Sequence, residues 1–185
     1  KIYFGKHLMA FKSFVLQYVH GVEYHLRVAA EIEERIFVKF IFNEVRDVVE
    51  GTANLLHVTD IWQYLRGKNK NMLRFLENHD EQRIASRLFA GSAEKAKPAM
   101  VVSALLHTGP VMVYFGQEVG EPGLGEAGFS GDDGRTTIFD YWGVPEHQKW
   151  VNELAYDGGQ LNEAQQALRS FYSKVLYLCQ QPAIA

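Results

Sequence analysis

The amino-acid sequence predicts an α/β protein with a parallel sheet. Short, nearly continuous apolar runs rich in β-branched and aromatic residues alternate with longer stretches whose apolar residues recur at helical spacing. Such runs are typical of strands that are buried on both faces. Polar side chains follow these runs directly, and α/β proteins carry their reactive groups at that end of a strand. We therefore look for functional residues at the carboxyl ends of the predicted strands.

The predicted elements can be placed along the whole chain. Strands are predicted at the start of the stretch 21–32 and at 36–42, 72–76 and 111–115. Helices are predicted at 8–19, 46–66, 81–90, 93–106, within 142–156, and at 161–178. Gly51-Thr52 is expected to split the second helix, and Pro98 either to kink the fourth helix or to delay its start. In the fourth helix Ser103 is assigned to the solvent side, and in the last helix Leu178 to the buried side. The loop 116–134 holds seven of the 16 glycines, which is typical of a loop that shapes a binding cleft.

Composition is that of a globular protein and excludes several classes of function. The 185 residues are the size of one ordinary domain, with 47% hydrophobic and 22% charged residues. A net charge of −3 gives no reason to expect nucleic acid or an anionic membrane as a partner. No stretch reaches about 18 uninterrupted apolar residues, so no transmembrane helix is expected. The cellular compartment stays open.

Two further features of the sequence concern its cysteine and its first residue. Cys179 is the single cysteine, which excludes an internal disulfide, and its apolar helical surroundings predict a buried, inert thiol. The chain begins without methionine, from which we expect further sequence upstream. We interpret residues 1–185 as a single, incomplete domain.

The segment Asn71–Arg83 carries the densest group of polar residues after a predicted strand. Asn78, His79 and Asp80 together offer an amide, an imidazole and a carboxylate, which suits the binding of hydroxyl-rich substrates. The structural alternative is an Asx-type turn in which Asp80 is the N-cap of the next helix. Spacing alone does not choose between these two readings.

Three ordered segments resemble the α-amylase family of glycoside hydrolases. Phe75–Asp80 (FLENHD) resembles the Asn-His-Asp segment at the end of that family's seventh barrel strand. His107–Gly120 resembles its eighth strand, with matches at Tyr114, Gly116 and Glu118, and Gly131–Trp142 resembles the loop that follows. The resemblance covers roughly Arg46 to Gln181 and implies the later strands and helices of a (β/α)₈ TIM barrel. A complete barrel needs at least about 200 residues. This chain has 185 residues, so we expect it to form only part of a barrel.

The resemblance also implies roles for individual residues. Asp80 corresponds to the carboxylate that stabilises the distorted sugar ring, and His79 and Asn78 correspond to hydroxyl-binding partners. Glu44, in the segment IFNEV, resembles the general acid at the end of the family's fifth strand; the alternative is a glutamate at a helix N-terminus. Tyr114 and Arg135 are the other candidate substrate-binding residues. For Tyr114 the alternative is a core aromatic, and for Arg135 an ion pair that braces the loop.

The nucleophile of a retaining glycosidase has no counterpart in the sequence. Such enzymes need two carboxyl groups about 5 Å apart. The family's fourth-strand segment aligns with Gly21–Ile32, where Val28 or Ala29 stands at the nucleophile position and the acids Glu23 and Glu31 are out of register. We therefore expect this chain to be inactive or nearly so.

No cofactor is predicted. The seven histidines are scattered, and no His/Cys/Asp cluster has metal-ligand spacing. A calcium site is an open alternative, because the region of the glycine-rich loop carries the candidate carboxylates Glu118, Asp132, Asp133 and Asp140.

The resemblance thus implies the later part of an α-amylase-type glycoside hydrolase that, when whole, cleaves the α-glucosidic bonds of starch-like glucans with retention. The first alternative is a non-catalytic protein that binds α-glucan oligosaccharides or polysaccharides. The second is a structural half-barrel whose open sheet edges self-associate or need a partner.

Overall fold

The structure is a computed structural model of the chain, and it describes residues 43–124, 133–136 and 144–181. Backbone proximity divides the chain into two compact units, Lys1–Phe40 and Ile41–Ala185. Every described residue belongs to the second unit. The elements predicted before residue 43, and the candidate nucleophile region with them, therefore lie outside the described residues.

Helices make up most of the regular structure in the described ranges. Four of them have described bounds: α1 (Leu56–Tyr64), α2 (Ala93–Leu105), α3 (Pro145–Val151) and α4 (Glu163–Cys179). Residues 43–49 are also helical, and 3₁₀ turns are found at Asn69–Asn71 and Gln117–Val119. None of the described helices is both long enough and apolar enough to cross a membrane.

The predicted split of the 46–66 helix is confirmed. The first helical segment ends at residue 49, and Gly51 adopts a left-handed conformation with φ of 76°. The backbone N–H and hydroxyl of Thr52 both donate to the carbonyl of Asp47, which closes the first segment. Asn54 Oδ1 then accepts the Leu56 N–H at 3.0 Å, so the new helix begins with one of its unpaired donors satisfied.

Helices α2 and α4 pack against each other, and both begin with side-chain caps. Ser92 accepts the Lys95 N–H at the start of α2, and Asn162 forms a reciprocal capping box with Gln165 at the start of α4. The buried faces carry apolar residues at helical spacing: Ala96, Ala99 and Met100 on α2, and Leu168, Tyr172 and Val175 on α4. These two predicted helices are confirmed to within two residues at each end.

Two side-chain placements within these helices are wrong. Ser103 is buried, because it lies three residues after Met100 and four after Ala99 and so falls on the same face. Leu178 is exposed, because the neighbouring Cys179 is the residue that faces α2. The Cys179 thiol is partly buried and donates to the carbonyls of Ala104 and Val175, and burial raises its pKa.

The predicted strands at 72–76 and 111–115 meet in a single parallel bridge between Arg74 and Val111. The Arg74 N–H donates to Pro110 O at 2.9 Å, and the Met112 N–H donates to Arg74 O at 2.7 Å. The pairing does not continue through Tyr114, whose N–H bonds to Gln117 Oε1 instead. The parallel pairing agrees with the prediction, but the described ranges contain no continuous strand and do not form a barrel wall.

The predicted helix at 81–90 is wrong, and the segment is a series of turns. Its first donors are diverted to distant acceptors: the Arg83 N–H bonds to Gly134 O, and the Ile84 N–H bonds to the Glu77 carboxylate at 2.5 Å. Further along, the Gly91 N–H bonds to Ser86 O. Periodic apolar residues predicted the helix, but tertiary hydrogen bonds to partners outside the segment displaced it.

Candidate functional site

The polar turn Asn78–Asp80 directly follows the segment that forms the parallel bridge. Asn78 Oδ1 accepts the backbone N–H groups of Asp80 at 2.7 Å and of Glu81 at 3.0 Å. One amide oxygen therefore fixes the two residues that follow, in an Asx-type turn. The turn closes just beyond the carboxyl end of the bridging segment, where the sequence predicted functional groups.

Asp80 is not the helix cap that the structural alternative required. Asn78 supplies the turn's acceptor, and no helix follows. The Asp80 carboxylate is 72% exposed, and the contact described for it is with His79 Nε2 at 3.5 Å; the imidazole is 46% exposed. The structure therefore presents a carboxylate and an imidazole side by side at the surface, joined by a long and weak contact.

A buried ion pair supports this turn from below. Glu77 Oε1 accepts from Arg83 Nη1 at 2.7 Å, and both side chains are completely buried. The same Nη1 donates to the carbonyl of Phe115, and Arg83 Nε donates to the hydroxyl of Thr136. Complete burial raises the pKa of Glu77, whereas the Arg83 charge and the Ile84 N–H act in the opposite direction. With these partners at hydrogen-bond distance, the pair braces the turn.

Tyr114 lies beneath the turn and belongs to its support. Its side chain is 8% exposed, its hydroxyl donates to Thr136 O at 3.4 Å, and its ring centroid lies 4.3 Å from the Arg83 guanidinium carbon. The Phe115 ring lies 4.9 Å from the same carbon. Burial raises the pKa of Tyr114. This placement favours the core alternative for Tyr114, with a cation–π contact as its main role.

Arg135 is tied to its neighbour Asp133. Arg135 Nε and Nη2 donate to Asp133 Oδ2 at 3.0 and 2.7 Å, and Asp133 Oδ1 accepts the Arg135 N–H. This geometry favours the brace that the sequence left as an alternative to substrate binding.

Glu44 lies within the helical residues 43–49, and its carboxylate is 3.3 Å from His57 Nδ1 on α1. The described residues therefore join Glu44 to His57 and Asp80 to His79, as two separate carboxylate–imidazole contacts. The helical placement favours the helix-terminus alternative for Glu44.

Two residues near the turn were not singled out from the sequence. Glu121 is buried, and its two oxygens accept the N–H groups of Gly123 and Glu146, each at 2.9 Å, which ties the loop to α3. The His147 ring packs 5.3 Å from Phe115 and stacks 6.1 Å from Trp150. Burial lowers the pKa of His147, and Glu118 partly opposes this. Neither position has a sequence signature, because the contacts of Glu121 with Glu146 and of His147 with Phe115 connect segments far apart in the chain.

The described residues contain no group of three His, Cys, Asp or Glu side chains that could hold a metal ion. Asp132 and Asp140 lie outside the described residues, and Asp133 is engaged by Arg135. The calcium alternative therefore gains no support from the described geometry.

A comparison with protein families decides the identity of the chain. Residues 3–169 match the family described as "Alpha amylase, catalytic domain", which is most of the chain. The chain belongs to the α-amylase family. Searches of curated proteins and of solved structures returned no match.

The α-amylase match corrects the extent of the likeness. The motifs indicated a resemblance from roughly Arg46, whereas the family match already begins at residue 3 and ends at residue 169. It includes the turn Asn78–Asp80, the segment around Tyr114, and residue Glu44. A glycosidase-type function for the domain follows from this membership.

Proposed function

We propose that this α-amylase-family domain acts on the α-glucosidic bonds of starch-like glucans, with Asp80 as the carboxylate that stabilises the reacting sugar. The observation that carries the proposal is the exposure of the Asp80 carboxylate beside His79. This carboxylate caps no helix and lies on a turn that Asn78 holds rigid. An exposed carboxylate and imidazole on a braced turn can accept and donate hydrogen bonds to adjacent sugar hydroxyls.

The proposed reaction is cleavage with retention of configuration. In that reaction a second carboxylate attacks the anomeric carbon as a nucleophile, an acid protonates the leaving oxygen, and water then releases the sugar. Glu44 is the proposed acid because IFNEV resembles the family's fifth-strand segment. Its carboxylate lies 3.3 Å from His57 Nδ1. The nucleophile is the missing member of this set.

The fold that we propose around the site is part of a (β/α)₈ barrel. The single parallel bridge between Arg74 and Val111 supports it, since the paired segments correspond to the family's seventh and eighth strands. In such a barrel, functional groups lie at the carboxyl ends of the strands, which is where Asn78–Asp80 is found.

A second candidate function is glucan binding without cleavage. Two buried carboxylates, those of Glu77 and Glu121, favour this function. All four of their oxygens already accept hydrogen bonds from the protein. Neither can serve as the second carboxylate beside Asp80. The described residues thus support sugar binding at the turn more directly than they support bond cleavage.

Proton NMR of maltoheptaose incubated with the protein separates these two functions. Retaining cleavage produces new reducing ends whose anomeric signals are first of the α form and later equilibrate. Binding without cleavage leaves the anomeric signals of the substrate constant, while calorimetric titration of the same sugar shows saturable heat. If neither cleavage nor saturable binding is found, the proposed function is wrong.

A further inference from the structure

A cleft of about 600 Å³ lies at the other end of the bridging segments from the turn Asn78–Asp80. It is formed by the end of α1, the loop after it and the residues that follow α2. Its size is within the range of small-molecule sites. The side chains that matter for its chemistry are Trp62, Gln63, Arg66, Asn69, His107 and Thr108.

Behind this cleft lies a buried guanidinium with unused donors. Arg74 is 2% exposed, and its Nη2 donates to Asn69 Oδ1, which lines the cleft. Its Nε and Nη1 are buried and have no hydrogen-bond partner within the described part of the chain. Burial lowers the pKa of Arg74 to about 10, so the group still carries its charge at neutral pH. A buried charge without a counter-charge is costly, and such groups call for an explanation.

The segment that leads from the end of α1 to the bridge is basic, although the chain as a whole has a net charge of −3. The stretch 61–76 contains four cationic residues and no acidic one: Arg66, Lys68, Lys70 and Arg74. None of the residues that line the cleft is acidic. The local field therefore favours an anion.

The remaining lining groups restrict what the anion can be. His107 Nδ1 accepts the Gly109 N–H at 2.8 Å and its Nε2 lies 2.9 Å from Ser103 O, so the ring is fixed in a neutral form. Arg66 and Thr108 are exposed donors, and Trp62 has 37% of its surface exposed beside them. Donors combined with an indole suit an oxyanion that is attached to a ring.

We propose that this cleft binds a phosphate group carried by a small ring-containing molecule. Arg66 contacts the phosphate directly, the Arg74 guanidinium stabilises it from behind Asn69, and Trp62 packs against the ring. A phosphate bound in the cleft places a negative charge next to Asn69, the residue to which the buried guanidinium donates. The site is independent of the glucan site, because it shares no residue with the turn Asn78–Asp80.

Calorimetric titration with inorganic phosphate tests the proposal, with sodium chloride at equal ionic strength as the reference. We expect saturable heat with phosphate and none with chloride. Arg66 is exposed, so the variant Arg66→Gln should fold normally. We expect this variant to bind phosphate at least tenfold more weakly. Lys95→Gln is the matched control, since Lys95 is an exposed cation on α2 outside the cleft, and it should leave the affinity within twofold.

Arg74→Met separates a ligand-binding charge from a merely structural one. The proposal expects a folded variant in which phosphate binding falls at least tenfold. If Arg74→Met raises the unfolding temperature and phosphate binds as tightly as before, the proposal is overturned. If that variant does not fold, Arg66→Gln alone decides, and unchanged phosphate affinity in Arg66→Gln overturns the site.

Two organic phosphates distinguish the carriers. Glucose 6-phosphate and AMP are titrated in the same buffer, and tighter binding than inorganic phosphate identifies a sugar or a nucleotide carrier. Quenching of tryptophan fluorescence that disappears in Trp62→Phe places the ring on Trp62. Equal affinity for all three probes supports a site for phosphate but overturns the role of Trp62. The absence of binding by any of them overturns the proposal as a whole.

Discussion

The side chains of Glu77 and Arg83 form a completely buried ion pair, 2.7 Å long, across the base of the turn that presents Asp80. The pair joins four segments, because Arg83 also binds Phe115 O and Thr136 Oγ1 and Glu77 accepts the Ile84 N–H. Both side chains are 0% exposed, so these hydrogen bonds replace contacts with water. The position of the turn Asn78–Asp80 therefore depends on this ion pair as well as on the Asn78 side chain.

Removal of the Arg83 charge should destabilise the protein strongly. Arg83→Met leaves the Glu77 carboxylate buried without its partner, and loss of one member of a buried pair costs about 3–5 kcal/mol. Urea unfolding measures the change. Lys97→Met is the control, since Lys97 Nζ and Glu94 Oε2 are also 2.7 Å apart but more exposed, and its loss should cost less than about 1 kcal/mol. Equal losses in the two variants would show that burial does not strengthen the Glu77–Arg83 contact.

Asn78 should be replaceable by Asp but not by Ala. Its Oδ1 accepts two backbone N–H groups, and Asn78→Ala leaves both without that acceptor. We expect a loss of about 1–2 kcal/mol in the free energy of unfolding. Asn78→Asp keeps an acceptor at the same position and should recover most of the loss. A variant Asn78→Asp that is as unstable as Asn78→Ala would contradict the turn geometry described here.

Part of this architecture could be predicted from the sequence and part could not. Local patterns predicted α2 and α4, because their apolar residues repeat at helical spacing. The structure adds that Ser92 and Asn162 cap these helices. The strands at 72–76 and 111–115 were predicted from two short apolar runs, and the structure pairs them in parallel through one bridge. The helix at 81–90 failed because Glu77 and Gly134, outside the segment, take its first donors.

The candidate site shows the same division. The sequence located Asn78, His79 and Asp80 in a surface turn, since the motif is contiguous. The structural alternative gave the capping role to Asp80, whereas Asn78 is the acceptor in the fold; the two residues have the same local preference, so the sequence alone does not choose between them. The Glu77–Arg83 pair is also close in sequence, yet its importance comes from burial by residues 115 and 136.

Acid should weaken the fold through His107. Burial lowers the pKa of this histidine to about 4, the Arg74 charge adds to this effect, and an unfolded histidine has a pKa of about 6.5. The unfolded state therefore binds more protons between these values, so stability is full above pH 6.5 and falls as the pH drops toward 4. Since the ring is only partly buried, we expect a contribution of about 1 kcal/mol.

Urea unfolding of the wild type and of His107→Gln across this pH range measures that contribution. The fall in stability between pH 6.5 and pH 4 should be shallower in the variant, because it no longer carries the titrating group. Parallel stability curves for the two proteins would rule out His107 as the cause.

Gly109 should not tolerate a side chain. A Cβ at this position lies 2.5 Å from Asn69 O and 2.8 Å from Met72 O, and both atoms belong to the backbone. Gly109→Ala must therefore displace the chain that leads into the bridging segment, at a cost of about 1–3 kcal/mol. Thr108→Ala is the control next to it and should change stability by less than about 0.5 kcal/mol, because Thr108 is exposed. A stable Gly109→Ala protein would show that the two segments are not in this close contact.

The role of Asp80 in glucan recognition is the central claim, and one comparison tests it most directly. Cleavage and binding of maltoheptaose are measured for the wild type, for Asp80→Asn, and for Asp60→Asn, a control in which an exposed acid on α1 is removed. We expect Asp80→Asn to lose about a hundredfold or more in cleavage, or in affinity if the wild type only binds, while Asp60→Asn behaves as the wild type. Equal activity in all three proteins would contradict the account.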